Sequence, residues 1–289
     1  MTTTTTATLI GAAPGAARRR RGNGYRSFRF VMIVLIVITF LVPLLWMVMA
    51  SFKSNVDIQD TSHPFSFSPI LDNYANVFGS DTYLQFVFNS FWIAFWAVLI
   101  SLALGVPAAY AMSRFAMRKS ALVVLLARII PGISLLVPWY YVFANLGWVG
   151  SYWVMILSHM FILIPVSVYI MMSFFDSMPL ELEEASLVDG LTHIGAFWRI
   201  LLPLSVPGIA TAAILSFIFS WNNFMFALVL TGAHTKTLPV AVFDFVSYAS
   251  IDWGSIMAAS TIMTLPIIVI ALFAQKYIVS GLTAGATKG

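Results

Sequence analysis

The sequence contains no cysteine and few charged residues. The absence of cysteine excludes disulfide frameworks, thiol catalysis and Cys-ligated zinc. Charged residues make up 9% of the 289 residues and hydrophobic residues 60%, against about 25% and about 45–50% in soluble domains. With 11 acidic and 15 basic side chains, the chain has too few charges to cover a water-facing surface. The composition therefore indicates an integral membrane protein, and the net charge of +4 bears on orientation rather than on nucleic acid.

The apolar stretches of the chain also lack the acidic groups that ion-coupled carriers use. Such carriers usually place Asp or Glu inside the bilayer to bind the coupling ion, whereas none of the 11 acids lies well inside a long apolar stretch. The sequence has no G-x-x-x-x-G-K-[ST] phosphate loop and no H-E-x-x-H motif. We therefore expect a protein that is not itself an enzyme and holds no metal, with an ion-coupled secondary transporter as the alternative function.

Six apolar stretches are long enough to cross a ~30 Å hydrocarbon core as helices, at ~1.5 Å per residue. They run over residues 30–50, 86–112, 121–143, 153–175, 204–230 and 254–275. The sequence therefore predicts an all-α integral membrane protein with six transmembrane helices in a domain covering residues 30–280. Within it, Pro131-Gly132 and Pro138 are predicted to break the regularity of the third span.

Basic residues are concentrated at the span ends that we assign to the cytoplasm. They precede the first span and follow the second, at Arg18, Arg19, Arg20, Arg21, Arg26, Arg29, Arg114, Arg118 and Lys119. The segments on the other side carry only Lys53 and Lys236. Because cytoplasmic loops are enriched in Lys and Arg, we expect a multi-pass protein of the bacterial cell membrane with cytoplasmic N- and C-termini. Residues 1–29 are predicted to be a partly disordered tail, and residues 281–289 a second cytoplasmic tail.

Two segments on the predicted outer side are more polar than the spans. Residues 51–85 contain four aspartates and two prolines, and residues 231–253 contain further charged side chains. Two interpretations stay open for both segments. They are either solvated connectors or a docking surface for an external partner.

The stretch between the fourth and fifth spans, residues 176–203, is polar enough to leave the bilayer and patterned enough to fold. Pro179 and the acids after it suit the first turn of a short helix, whose positive end favours carboxylates. Asp189-Gly190 supplies a stop, and Thr192 can cap a second helix with an apolar side. Loop helices that lie on lipid headgroups are usually basic, whereas this one holds four acids against one arginine from residue 179 onward. A protein partner is therefore favoured over lipid.

A specific pattern runs through the same stretch. Glu184-Ala185-Ser186 is followed, after three residues, by Gly190 and, after nine further residues, by Ile200-Leu201-Leu202-Pro203. This resembles the EAA loop of ABC importer permeases, which reads Glu-Ala-Ala, three residues, Gly, nine residues, Ile, any residue, Leu-Pro. Every spacing matches, and only Ser186 departs, as a small residue in place of the second Ala. Asp189 and the C-terminal residues 281–289 are similar to the carbohydrate-uptake, MalG-type branch. We call residues 176–203 the EAA-like loop.

The resemblance implies the type I ABC importer permease fold and a set of partners. These are a second homologous permease subunit, two cytoplasmic ATPase subunits, an extracytoplasmic solute-binding protein and membrane lipid. The ATPase subunits would bind ATP and Mg²⁺, so that this chain binds no cofactor. The loop would act as the coupling element toward the ATPase through Glu181, Glu183, Glu184, Ala185, Ser186, Asp189, Gly190, Ile200, Leu202 and Pro203.

Polar and aromatic residues in the spans are candidates for the path of a sugar or related polyhydroxylated solute. Amides can hydrogen-bond hydroxyl groups, while aromatic rings stack on C–H faces. The candidates are Trp221, Asn222, Asn223, Phe224, Asn89, His159 and Ser134. The alternative interpretation is that these groups hold neighbouring helices together, since polar side chains in lipid face the interior of a helix bundle.

Overall fold

The computed structural model describes residues 23–79, 82–246 and 251–284, and within these ranges it is helical with no strands. The chain divides into two compact units, residues 1–46 and residues 47–289. The described part of the first unit is an apolar helix that starts at Asn23. The other helices belong to the second unit, which carries the site described below.

In chain order, the α-helices are α1 (Asn23–Ala50), α2 (Asn55–Gln59), α3 (Asp72–Gly79), α4 (Tyr83–Arg114), α5 (Arg118–Leu126), α6 (Leu136–Asn145), α7 (Tyr152–Ser177), α8 (Glu181–Val188), α9 (His193–Ala196), α10 (Leu202–Leu204), α11 (Val206–Trp221), α12 (Met225–Leu230), α13 (Leu238–Ala241) and α14 (Trp253–Ala284). A π-helix, Phe197–Leu201, joins α9 to α10, and 3-10 turns at Gly132–Leu135 and Val242–Phe245 flank α6 and α13.

Four helices of the described chain are long and apolar enough to cross a membrane, namely Tyr25–Ala50, Tyr83–Arg114, Tyr152–Ser177 and Trp253–Phe273. A fifth results if His193–Leu204 and Val206–Trp221, which meet at a bend of 72°, are counted as one span. These helices match the predicted first, second, fourth, sixth and fifth spans. The prediction of an all-α membrane protein is therefore confirmed, while the count of six spans stays a prediction.

The predicted third span, residues 121–143, is not one continuous helix. Here α5 ends at Leu126, a 3-10 turn begins at Gly132, and α6 starts only at Leu136. The interruption falls at the Pro131-Gly132 pair, as the sequence indicates, because proline lacks the amide hydrogen that a helix needs. Pro138 does not break the span, because it lies in the first turn of α6, where a proline is tolerated. The predicted fifth span is interrupted as well, between α11 and α12.

The centre of the larger unit is the pair α4 and α7, and α11 packs against both of these helices and against α14. Close approach of α4 and α7 depends on small residues. A Cβ atom on Gly105 would lie 3.0 Å from Cβ of Ser167, and the Ser167 hydroxyl lies 3.4 Å from that of Ser216 on α11. Small residues at such crossings let helices pack without a hydrophobic driving force from lipid.

The predicted outer segment from residue 51 folds onto the N-terminal end of α14. Asn73 donates its amide to the carbonyls of Ser51 and Lys53 at 2.9 and 2.8 Å, and α3 packs against α14. Asn55 donates to the Asp252 carboxylate at 3.0 Å. Burial raises the pKa of Asp252, but hydrogen bonds from Ser255 and Asn55 outweigh burial and leave the pKa below its ordinary value.

The two predicted tails overlap helices at their inner ends. The backbone of α1 begins at Asn23, inside the predicted tail 1–29, and α14 continues to Ala284, inside the predicted tail 281–289. Residues 1–22 and 285–289 lie outside the described residues. The predicted partial disorder of the N-terminal tail falls on that undescribed part.

Candidate functional site

The EAA-like loop folds as two short helical segments separated by a sharp turn. The first segment, α8, carries three glutamates in its first turn and ends at Val188, with Asp189 as its C-cap. Gly190 has φ of +86°, a backbone conformation that only glycine adopts without strain. The Thr192 hydroxyl then accepts the amide of Gly195 at 3.1 Å and caps α9. The predicted helix, stop and second cap are thus all present.

The second segment is irregular before it enters the fifth span. It passes from α9 through the π-helix to α10, and bends by 72° into α11 at Ser205. The Ser205 hydroxyl donates to the carbonyl of Leu201 at 2.6 Å and is fully buried. Phe197 and Leu201 anchor the π-helix in a cluster of residues from α4 and α7. Single-turn π-helices are frequent at functional sites, because they place side chains out of helical register.

The EAA-like loop exposes both acidic and apolar side chains. Glu181, Glu184 and Asp189 are exposed, and so are Val188 (87%), Ile194 (72%) and Trp198 (59%). No sequence pattern singles out Val188 or Ile194. Their exposure depends on which side of each helix turns inward, and eight- and four-residue helices are too short for their periodicity to show it.

Glu183 differs from the glutamates beside it because it is buried, with 3% of its surface exposed. One carboxylate oxygen accepts the Tyr110 hydroxyl at 2.6 Å and lies 2.9 Å from Nδ1 of His193. The other oxygen lies 3.1 Å from Nε of Arg114. Arg114 also donates to the carbonyl of Met178, at 3.4 Å. The Glu183 carboxylate thus faces the interior of this chain, whereas Glu181 and Glu184 are exposed.

The other residues of the EAA pattern also divide into buried and exposed ones. Ser186 is buried, and its hydroxyl donates to the Glu183 carbonyl at 2.6 Å, which explains why a small residue stands there. Ala185 and Pro203 are exposed, while Ile200 and Leu202 are half-buried. The pattern therefore mixes residues that build the loop with residues that present its surface.

Three of the solute-path candidates are buried and bonded within the chain. Asn89 donates to the carbonyls of His234 and Lys236 at 2.9 and 2.8 Å and accepts the Tyr152 hydroxyl at 2.7 Å. His159 Nδ1 lies 2.6 Å from the Ser220 hydroxyl. Trp221 donates to the carbonyl of Met263 on α14 at 3.1 Å. These contacts hold neighbouring elements together.

The remaining candidates lie at helix interruptions. Asn222 is exposed and donates to the carbonyl of Ile218 at 3.1 Å on its own helix. Asn223 accepts the amide of Phe226 at 3.2 Å and so caps α12, and Phe224 stacks on Phe243 with ring centroids 5.0 Å apart. Ser134 is exposed in the 3-10 turn before α6. The structure therefore does not bring the seven candidates together around one cavity.

Metal ligands are not clustered in the part of the chain that the structure describes. Across residues 23–79, 82–246 and 251–284, no group of three or more His, Asp or Glu residues is placed to hold a metal ion.

The described chain is an all-helical membrane domain in which a folded polar loop joins α7 to α11, the architecture of a polytopic membrane protein. The chain belongs to the family described as the binding-protein-dependent transport system inner membrane component, whose model matches residues 101–284.

Curated relatives and a solved structure extend this match to most of the chain. The chain is 37% identical to the trehalose/maltose transport system permease protein MalG of Thermococcus litoralis, over 91% of this chain and 97% of that protein. It is 35% identical to the trehalose transport system permease protein SugB of Mycobacterium tuberculosis, over 90% and 96%. A crystal structure of a bacterial ABC transporter involved in the import of alginate matches with a TM-score of 0.72 and 21% identity, over 89% of this chain and 98% of that one. The fold is thus that of type I ABC importer permeases.

Proposed function

We propose that this chain is the transmembrane permease subunit of an ATP-driven ABC importer, and that it forms half of the path for a sugar or related polyhydroxylated solute. The single observation that carries the proposal is the 37% identity to a trehalose/maltose permease over nearly the full length of both chains. A second relative is named as a trehalose permease. Type I permease architecture alone does not fix the solute, and the proposal of a sugar rests on these two names.

The EAA-like loop is proposed to couple this subunit to an ATPase partner. Its exposed residues include three carboxylates as well as Val188, Ile194 and Trp198. An acidic and aromatic surface of this kind suits a groove in another protein better than an anionic lipid surface. In this proposal the partner ATPase subunits bind ATP and Mg²⁺ and carry out hydrolysis, and this chain binds neither.

The position of the loop in the fold supports a lever mechanism. Its first residues continue α7, and its last residues enter α11 through the 72° bend at Ser205. A rigid-body shift of the ATPase would therefore reach two spans through the backbone. The mechanism requires the loop, and with it both termini, to be cytoplasmic.

The other proposed partners complete the assembly. A second homologous permease would supply the other half of the solute path, and an extracytoplasmic binding protein would deliver the solute, as the family's name implies. Asn222 is the strongest proposed path residue, because its side chain is exposed at an interruption between α11 and α12. Asn89, His159 and Trp221 would support the path by fixing the helices around it.

The coupling proposal is tested with Glu184→Lys and Gly190→Pro in the complete transporter. The lysine reverses a charge on the exposed surface, and the proline cannot adopt φ of +86°. Both sites lie outside the spans, so we expect near-normal abundance in the membrane and normal pairing with the second permease. Solute uptake should be lost, because ATPase binding or its stimulation is lost.

Asp72→Lys is the matched control for the charge reversal, because Asp72 is an exposed acid in the first turn of α3. It should leave ATPase co-purification unchanged. Normal uptake by the Glu184 and Gly190 variants would show that the loop is a surface connector and would refute the coupling role.

A further inference from the structure

The buried Glu183 carboxylate joins both short helices of the EAA-like loop to α4, which is distant from them in sequence. Tyr110 and Arg114 are on the last turns of α4, Glu183 is on α8, and His193 opens α9. The side chains of Arg114 and Glu183 are 10% and 4% exposed. Aromatic rings surround this polar group, with Tyr110 and Phe197 at 4.9 Å between ring centroids. We call Glu183, Tyr110, Arg114 and His193 the Glu183 cluster.

Backbone continuity does not explain this arrangement. The EAA-like loop is covalently continuous with α7 and α11, whereas α4 ends more than 60 residues before α8 begins. Removing two charges from water costs free energy, and their mutual attraction in the interior only partly offsets that cost. The burial of Glu183 and Arg114 is therefore weak support for a purely stabilising role. Its geometric effect is to hold α8 against the end of α4, because one carboxylate oxygen accepts the Tyr110 hydroxyl and the other forms an ion pair with Arg114 at 3.1 Å.

The helix that Glu183 holds, α4, is well placed to transmit a movement to other helices. Along its length α4 packs against α7 and α11, and its first half packs against α13. Near its outer end Asn89 holds the segment before α13 through two carbonyls. A displacement of α4 at the loop end therefore reaches the opposite end of the bundle.

We propose that Glu183 is a positioning residue that latches α8 to α4, so that a movement of the EAA-like loop is passed to α4 as well as to the two spans that the loop joins. The proposal rests on the coupling function proposed above. It assigns Glu183 a role inside this chain, while Glu181 and Glu184 face the partner. The loop then drives three helices as one unit.

Three variants test the latch in the assembled transporter. Glu183→Gln keeps the shape and removes the charge. Glu183→Gln combined with Arg114→Gln removes both charges, which avoids the lone buried charge that destabilises single variants. Tyr110→Phe removes one hydrogen bond and leaves the ring packing in place. Membrane abundance and ATPase co-purification are measured first, and both should stay close to those of the unsubstituted complex for at least the double variant and Tyr110→Phe.

The decisive readout is the distance between α8 and α4. Since the chain has no cysteine, spin labels at Leu182→Cys on α8 and Leu104→Cys on α4 are the only ones introduced, and both positions are exposed. The label distance should be the same in the nucleotide-free and nucleotide-trapped complexes, because the two helices move together. In the Glu183 variants the distribution of label distances should broaden, or its mean should differ between the two states. In the control Glu181→Gln the distribution should stay unchanged.

The number of solute molecules imported per ATP hydrolysed provides a functional readout. It should fall by about fivefold or more in the Glu183 variants, the lower range for a coupling free energy between sites. The latch is refuted if the unsubstituted distance changes between the two states, or if the variants leave both the distance and this ratio unchanged. If no ATPase co-purifies with the unsubstituted chain, the proposed function fails, and label distances in the chain alone still decide whether Glu183 holds α8 to α4.

Discussion

Gly208 lies three residues beyond the bend that leads from the EAA-like loop into the fifth span, and its substitution is expected to disturb the packing there. A Cβ atom at this position would lie 2.7 Å from both Cγ and Cδ2 of Phe174 on α7. Carbon atoms pack best at about 3.5–4.0 Å, so the ring must retreat by about 0.8–1.3 Å. Because Cγ is the ring atom nearest the backbone, a simple ring rotation does not relieve the contact.

The expected magnitude follows from two opposing effects of Gly208→Ala. Overpacking a close contact costs about 1–3 kcal/mol, while replacing a helical glycine by alanine contributes about 0.5–1 kcal/mol of stability. The free energy of unfolding should therefore fall by up to about 2.5 kcal/mol. Gly105→Ala, whose added Cβ would lie 3.0 Å from Ser167, should lower the free energy of unfolding by a smaller amount. Gly195→Ala, with its nearest contact at 3.5 Å, should be neutral or slightly stabilised.

The measurement is the free energy of unfolding of the three variants in mixed micelles, by titration with a denaturing detergent. Gly195→Ala is the control, because it makes the same chemical change in the same unit of the chain at an uncrowded position. The reasoning is refuted if Gly208→Ala is as stable as Gly195→Ala, since α7 and α11 would then have room that the structure does not show.

Two further predictions concern the solute path and the orientation. Asn222→Ala should leave subunit assembly and ATPase binding intact and change the rate or specificity of solute uptake, measured with a panel of labelled sugars; unchanged uptake of every sugar would contradict its place on the path. Single cysteines introduced into this cysteine-free chain at the exposed positions Val188 and Phe65 should react differently with a membrane-impermeant maleimide added to intact cells. Phe65→Cys should be labelled and Val188→Cys protected, and the reverse pattern would overturn the cytoplasmic assignment of the loop.

The local structure of the EAA-like loop was predictable because short-range rules determine it. Glutamates favour the start of α8, Asp189-Gly190 ends it with φ of +86° at the glycine, and Thr192 caps α9. Each of these features depends on residues within one or two helical turns. Pro131-Gly132 marks the interruption of the third span for the same reason. The four longest helices were predictable from their apolar length alone.

The role of Glu183 was not predictable, because it depends on contacts across the fold. Glu181, Glu183 and Glu184 are chemically equivalent in the sequence, and each suits the N-terminal turn of a helix equally well. Only the position of α8 against α4 turns Glu183 toward Tyr110 and Arg114 and leaves the other two exposed. The sequence position of Arg114, at the end of a predicted span, indicates only how that span is oriented in the membrane. In the structure it is 10% exposed and paired with Glu183.

Burial also divides the solute-path candidates into two groups with different physical roles. A polar side chain without a partner in an apolar interior costs several kcal/mol, roughly 2–7 by transfer measurements. Asn89 and Trp221 avoid that cost through bonds to other elements of the same chain, and His159 avoids part of it through Nδ1, while its buried Nε2 has no partner among the described residues. The bonded groups are already occupied when the subunit is folded. A solute hydroxyl group would have to displace those bonds.

Asn222 and Ser134 are exposed, and a polar group on the outside of a membrane subunit avoids lipid only by facing a second protein or water. The proposed path therefore lies on the exposed flank of this subunit, where a second permease would close it, and not in the subunit's own core.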